Sequence, residues 1–175
     1  MSATKQLILV STWFQVFWFL AVLGQASLAW LSVVLAVVTV LVTCQRFQLR
    51  VSLLAAIALM GMVIDGLNHQ FGLLIFDLPF IPIWLGALWV MFAWYALYLC
   101  RVISQYPIVI VAVAGGIGGS LSYIAGYKLS AVEFGVTMTT AAAILFVEWF
   151  FIVLAILSLY RFVQKRKGRI SHGAL

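Results

Sequence analysis

Two carboxylates sit inside stretches of sequence that are otherwise oily: Asp65 in MGMVIDGLNHQ and Glu148 in AILFVEWFFIV. An ionisable group in a bilayer costs about 2.5–3.5 kcal/mol at mid-helix on insertion scales, so such residues are retained for function or to lock helices together. Asn68 and His69 follow Asp65 at i+3 and i+4, which puts all three on one helix face. The imidazole is expected to pair with the Asp65 carboxyl, an arrangement suited to proton transfer. Asp65, His69 and Glu148 are therefore the candidate catalytic groups. Asn68, Asp77, Trp89 and Gly119 are the expected lining of a pocket around them. With no dense ligand motif such as H-E-x-x-H, neither a metal site nor a cofactor is expected.

The elements that must position these groups are helices that cross a membrane. Hydrophobic residues make up 66% of the 175 residues and charged ones 8%, with a mean hydropathy of +1.22, well outside the soluble range. A span needs about 20 apolar residues. Six stretches come near that length: residues 7–23, 26–44, 51–68, 81–100, 107–127 and 137–160. Tight turns at Gly24-Gln25 and at residues 45–50 imply antiparallel neighbours. The fold class expected is all-α, a polytopic membrane protein with six transmembrane helices in an up-down bundle. Residues 1–175 then form a single integral membrane domain.

Charge sets the orientation. Of the ten Lys and Arg residues, all but Lys128 fall on one side of this pattern, and short basic loops mark the cytoplasmic face. Both termini are expected there, with residues 161–175 forming a basic tail against anionic headgroups. The net charge of +6 is thus a topology signal, and no nucleic-acid partner is expected. A cleaved leader would end near GQASLA, but the first apolar run is long and aromatic and is expected to stay as a span. Cys44 and Cys100 fall at cytoplasmic helix ends, where buried thiols are expected and a disulfide is not.

At a helical rise of about 1.5 Å per residue, Asp65 lies roughly 9 Å and Glu148 roughly 12 Å below the outer edge of the hydrocarbon core. They would share one site if the third and sixth spans touch. The site is pictured as a cavity open to the outer face and lined by these carboxylates. The outer loop, residues 68–80, is itself apolar, and residues 71–80 would lie in the interface or dip back as a re-entrant segment. Trp84, Tyr123 and Tyr127 fit an outer aromatic belt, and Tyr98 and Tyr160 an inner one. The deeper Trp94 reads as ordinary packing, and Glu148 is a candidate acceptor for an indole beside it. Gly115, Gly119 and Gly126 form a small-residue surface for close helix packing. The run is no phosphate loop, since it lacks GK[ST] and lies inside an apolar span.

Three segments together, D-x-x-N-H at Asp65–His69, P-x-W-x-x-x-L-W-x-x-F-A at Pro82–Ala93 and G-G-x-G-G-S-L-S-Y-x-A-G at Gly115–Gly126, resemble a bacterial family of small inner-membrane proteins. That family is catalogued as domain of unknown function 2878, and the resemblance covers essentially the whole chain. It implies a multi-pass protein of the bacterial inner (cytoplasmic) membrane without an assigned activity. Genes of such proteins often neighbour enzymes that modify membrane fatty acids, which favours membrane lipids as partners. The expected role is catalytic or accessory in membrane-lipid or lipophilic-molecule metabolism. The alternatives are a non-catalytic scaffold, as a homo-oligomer or beside a membrane enzyme partner, and a small proton-coupled transporter.

Overall fold

A computed structural model of the chain describes residues 3–47 and 50–172, with side chains for 5–43 and 50–165. The side chains of Cys44 and of Arg46, Arg166, Lys167 and Arg169, four of the basic residues that set the orientation, lie outside the described set, and residues 173–175 of the tail lie outside it altogether. Six helices follow one another: α1 Ala3–Gly24, α2 Ala29–Phe47, α3 Val51–Gln70, α4 Ile83–Ile103, α5 Ile108–Lys128 and α6 Met138–His172. Five are long and apolar enough to cross a membrane, and α2 is apolar over Ala29–Thr43. The fold is all-α, as expected of a helical membrane protein, and the tail continues α6 as helix to His172.

The limits of the helices follow from local chemistry. Pro82 and Pro107 stand immediately before α4 and α5, where a missing N–H breaks no helical bond. The α1–α2 turn reverses at Gln25 with a φ of 41°. At the other end of the bundle the Arg161 guanidinium donates to the Ser104 and Tyr106 carbonyls at 2.7 and 2.9 Å. It thereby satisfies acceptors left over where α4 stops.

Packing divides the helices into two groups. α4 is apolar on every side and packs against α1, α2 and α3, which is the signature of a buried central helix. α5 and α6 pack chiefly on each other. Indole N–H groups tie the first group together: Trp13 donates to the Thr39 hydroxyl at 3.2 Å and Trp94 to the Thr43 hydroxyl at 2.8 Å. Trp94 is thus anchored by a hydrogen bond to α2 as well as packed. Outward-facing Trp30, Val34, Val38 and Leu41 leave α2 with an apolar exterior.

The 71–80 segment is neither a helix nor a plain loop. Leu74–Ile75 (β1) pairs antiparallel with Glu133–Phe134 (β2), Leu74 opposite Phe134 and Ile75 opposite Glu133. The ladder fastens the α3–α4 connection to the α5–α6 connection. Gly72, at a φ of 74°, makes the reversal, and a Cβ at Gly135 would lie 2.0 Å from the Gly72 carbonyl oxygen. Leu74 is fully buried under the ladder while Phe71 is exposed.

A buried carboxylate behind an aromatic wall

Asp65 lies one turn before the α3 terminus and is 1% exposed. Trp89 of α4 donates its indole N–H to Oδ2 at 2.5 Å. Tyr123 of α5 donates its hydroxyl across both oxygens, at 2.6 Å to Oδ1 and 2.8 Å to Oδ2. One turn along, buried Asn68 donates to Glu148 Oε2 of α6 at 2.8 Å. A single face of α3 therefore holds α4, α5 and α6 through side-chain hydrogen bonds. The third and sixth helices do touch, with Asn68 as the bridge between them.

Two glycines admit the indoles. A Cβ on Gly61, one turn before Asp65, would fall 2.1 Å from the Trp89 ring. A Cβ on Gly119, one turn before Tyr123, would fall 2.1 Å from the Trp149 ring. The pattern is the same on both helices: glycine opens a slot for a tryptophan and a polar side chain stands four residues later. The indoles of Trp89 and Trp149 then stack, centroids 5.4 Å apart at 10°, with Phe92 edge-on to both. Gly115 also packs closely, since a Cβ there would meet Val153 at 2.5 Å. Gly126 does not: its nearest neighbour would be Val132 at 3.6 Å, an ordinary contact.

His69 departs from expectation. Its Nδ1 lies 3.0 Å from the Leu74 carbonyl oxygen and its ring rests against Phe76, because the last turn of α3 faces the ladder. It does not reach Asp65, whose oxygens are held by Trp89 and Tyr123. Asp77 is exposed and stands apart from this cluster. Tyr123 turns inward to the cluster, and Tyr98 is buried against Trp94. Glu148 accepts from Asn68, while its neighbour Trp149 turns to stack on Trp89. Sequence reasoning missed Gly61 altogether. The signal was present as a small residue one turn before the only acid in its helix, but a lone helical glycine has no direction until its neighbour is known.

On the other face of the aromatic wall lies a cavity of about 450 Å³. Trp89, Trp149 and Tyr123 line it; Asp65, Asn68, His69, Asp77 and Glu148 do not. The expected carboxylate-lined pocket is thus an aromatic and aliphatic one, with Asp65 buried behind its wall and Glu148 half-buried beyond it. Its remaining surface comes from Phe14 and Trp18 of α1, Leu88 and Phe92 of α4, and Gly118 and Ser122 of α5, among others. Cys100 lines it near the opposite end of α4. Among the described residues no three His, Cys, Asp or Glu side chains group closely enough to hold a metal ion.

Comparison with curated proteins and with solved structures returned no match. The family model described as a protein of unknown function, domain of unknown function 2878, matches residues 7–155, and the chain belongs to that family.

Proposed function

We propose that this protein crosses the bacterial inner membrane six times, with both termini in the cytoplasm, and holds a lipophilic molecule in the cavity between α1, α4, α5 and α6. Its role in membrane-lipid metabolism is that of an accessory binding protein. One observation carries this reading: the cavity is walled by aromatic and aliphatic side chains, while the acids that could do proton chemistry stand behind the wall. Pockets for small lipophilic ligands have this composition and a volume of about 300–1,000 Å³. The carboxylates serve the pocket indirectly. Asp65 fixes Trp89 and Tyr123, and these two side chains shape the wall.

Orientation is supported by the basic residues. Arg101 and Arg161 lie towards the ends of α4 and the apolar part of α6 that are remote from the ladder, and Lys128 lies beside it. A reporter fused after Lys128 is expected to read the periplasmic side, and a cytoplasmic signal there overturns the six-span arrangement. For the function, the test is mass spectrometry of protein purified in mild detergent. A lipophilic species retained at near one per chain is expected. A folded protein that retains none overturns the reading.

A further inference from the structure

The shape and charge of the cavity narrow what it can take. Its α4 side is a single stripe, Trp84, Leu88, Phe92, Leu99 and Ile103 among its members, which extends about 28 Å at the helical rise. A volume of about 450 Å³ spread over that length is a slot. Its length suits an extended polymethylene chain lying along the α4 stripe, whereas a rigid fused-ring body would occupy only part of it. Facing the stripe, α5 presents Ala114, Gly118 and Ser122 at successive turns, and Ala114 and Gly118 are exposed as well as lining. The slot therefore opens sideways between α1 and α5. Near its ladder end one hydrogen bond crosses that opening, from the Trp18 indole N–H to Ser122 Oγ at 2.9 Å.

Gly118 differs from its glycine neighbours. Gly115, Gly116 and Gly119 each have a side chain pressed against the place a Cβ would occupy, whereas nothing lies within 4 Å of one at Gly118. Helix packing does not demand glycine there, yet the position faces the slot. No Lys, Arg, His, Asp or Glu lines the slot, so a carboxylate or phosphate drawn inside would lose its hydration with no partner in exchange.

From these observations we infer that the slot takes one unbranched hydrocarbon chain with an uncharged end, admitted sideways from the bilayer between α1 and α5 past the Trp18–Ser122 bond. The inference rests on the lipophilic-ligand reading and names its ligand class.

The test uses the full-length protein in detergent with hexadecanol carrying a diazirine in its chain, and the photoadducts are located by peptide mass spectrometry. Adducts are expected on the α4 and α5 peptides that line the slot. Unlabelled hexadecanol should displace them, and hexadecanoate and cholesterol should do so at least tenfold less well. Gly118→Phe should cut labelling at least tenfold with unchanged thermal melting. Should Gly118→Phe fail to fold, Ala114→Leu provides the same reading from the same face. Equal competition by cholesterol or hexadecanoate, or undiminished labelling in the filled variants, overturns the single-chain inference. Retention of some other lipophilic molecule by wild type in those same cases leaves the broader reading standing. Labelling confined to the outer face of α2, with no lipophilic species retained by wild type, ends both.

Discussion

The Trp89–Trp149 stack separates two regions built on opposite terms. Behind it, around Asp65, polar groups are buried and their hydrogen bonds are made within the protein, from four helices. In front of it the surface is apolar, roomy and open at the side. A buried polar cluster is costly unless satisfied, and once satisfied it fixes one geometry. An apolar slot has no such bonds to keep, so the stability of the bundle depends little on the side chains that line it. On the proposed reading labour is divided: the residues whose chemistry stands out hold the helices, and the unremarkable ones that line the cavity, such as Gly118 and Leu88, are left to meet the proposed ligand.

The sharpest way to break this comparison is to remove the acceptor. Asp65→Leu leaves the Trp89 N–H and the Tyr123 O–H without their partner. Each orphaned donor costs about 1–3 kcal/mol, moderated because an unfolded helix in a membrane also finds partners. We expect a loss of about 3 kcal/mol, seen as a lower melting temperature in detergent and poor yield. Combining it with Tyr123→Phe removes one orphan, so the double variant should be more stable than the sum of the single losses allows. If Asp65→Leu melts like wild type, the cluster does not hold the bundle and a chemical role for the carboxyl returns.

The second contrast lies between adjacent glycines. Gly119→Leu drives a side chain into the Trp149 ring, and overpacking of this kind costs about 1–3 kcal/mol. Gly118→Leu, next to it, should leave melting unchanged and lower only the retention of ligand. Gly61→Ala should behave like Gly119→Leu, since its Cβ would lie as close to Trp89. Gly126→Ala should be silent, its Cβ having room. Equal melting of the Gly118 and Gly119 variants would show that the wall and the slot are one compliant region.

These pairs also show what could be read from the chain. The helices were legible because a bilayer imposes a length of apolar sequence on each, and the predicted spans and the observed helices agree to within a few residues over five of the six; α6 alone extends well beyond its span. That Asp65, Asn68 and Glu148 would need hydrogen-bond partners was legible, because a polar group in such sequence is costly unless satisfied. Their bonds were legible only in part: Trp89 was expected near Asp65, but not that its indole would donate to the carboxyl, nor that Tyr123 would join it. Tyr123 and Trp89 reach Asp65 from other helices, and nothing local reveals which tyrosine turns inward. The ladder escaped notice because two-residue strands carry no periodicity. His69 misled because i+4 spacing gives proximity along an ideal helix, while α3 ends at Gln70 and the imidazole is taken by the Leu74 carbonyl.

The smallest effects test how far the cluster extends. Asn68→Ala removes one interhelical hydrogen bond, and bonds of this type average about 0.6 kcal/mol in a membrane. Glu148→Gln keeps an acceptor for the Asn68 amide and should cost less still. A catalytic carboxyl at Glu148 predicts the opposite ranking: Glu148→Gln would silence the protein and Asn68→Ala would leave it partly active. The deciding measurement is the lipid profile of a deletion strain complemented with each variant. On the accessory reading wild type, Asn68→Ala and Glu148→Gln all restore the profile, because the Glu148 carboxyl stands behind the wall and only its oxygen towards Asn68 is used. Restoration by Asn68→Ala with failure by Glu148→Gln, at equal protein levels, would move the chemistry from the slot to the acid behind it.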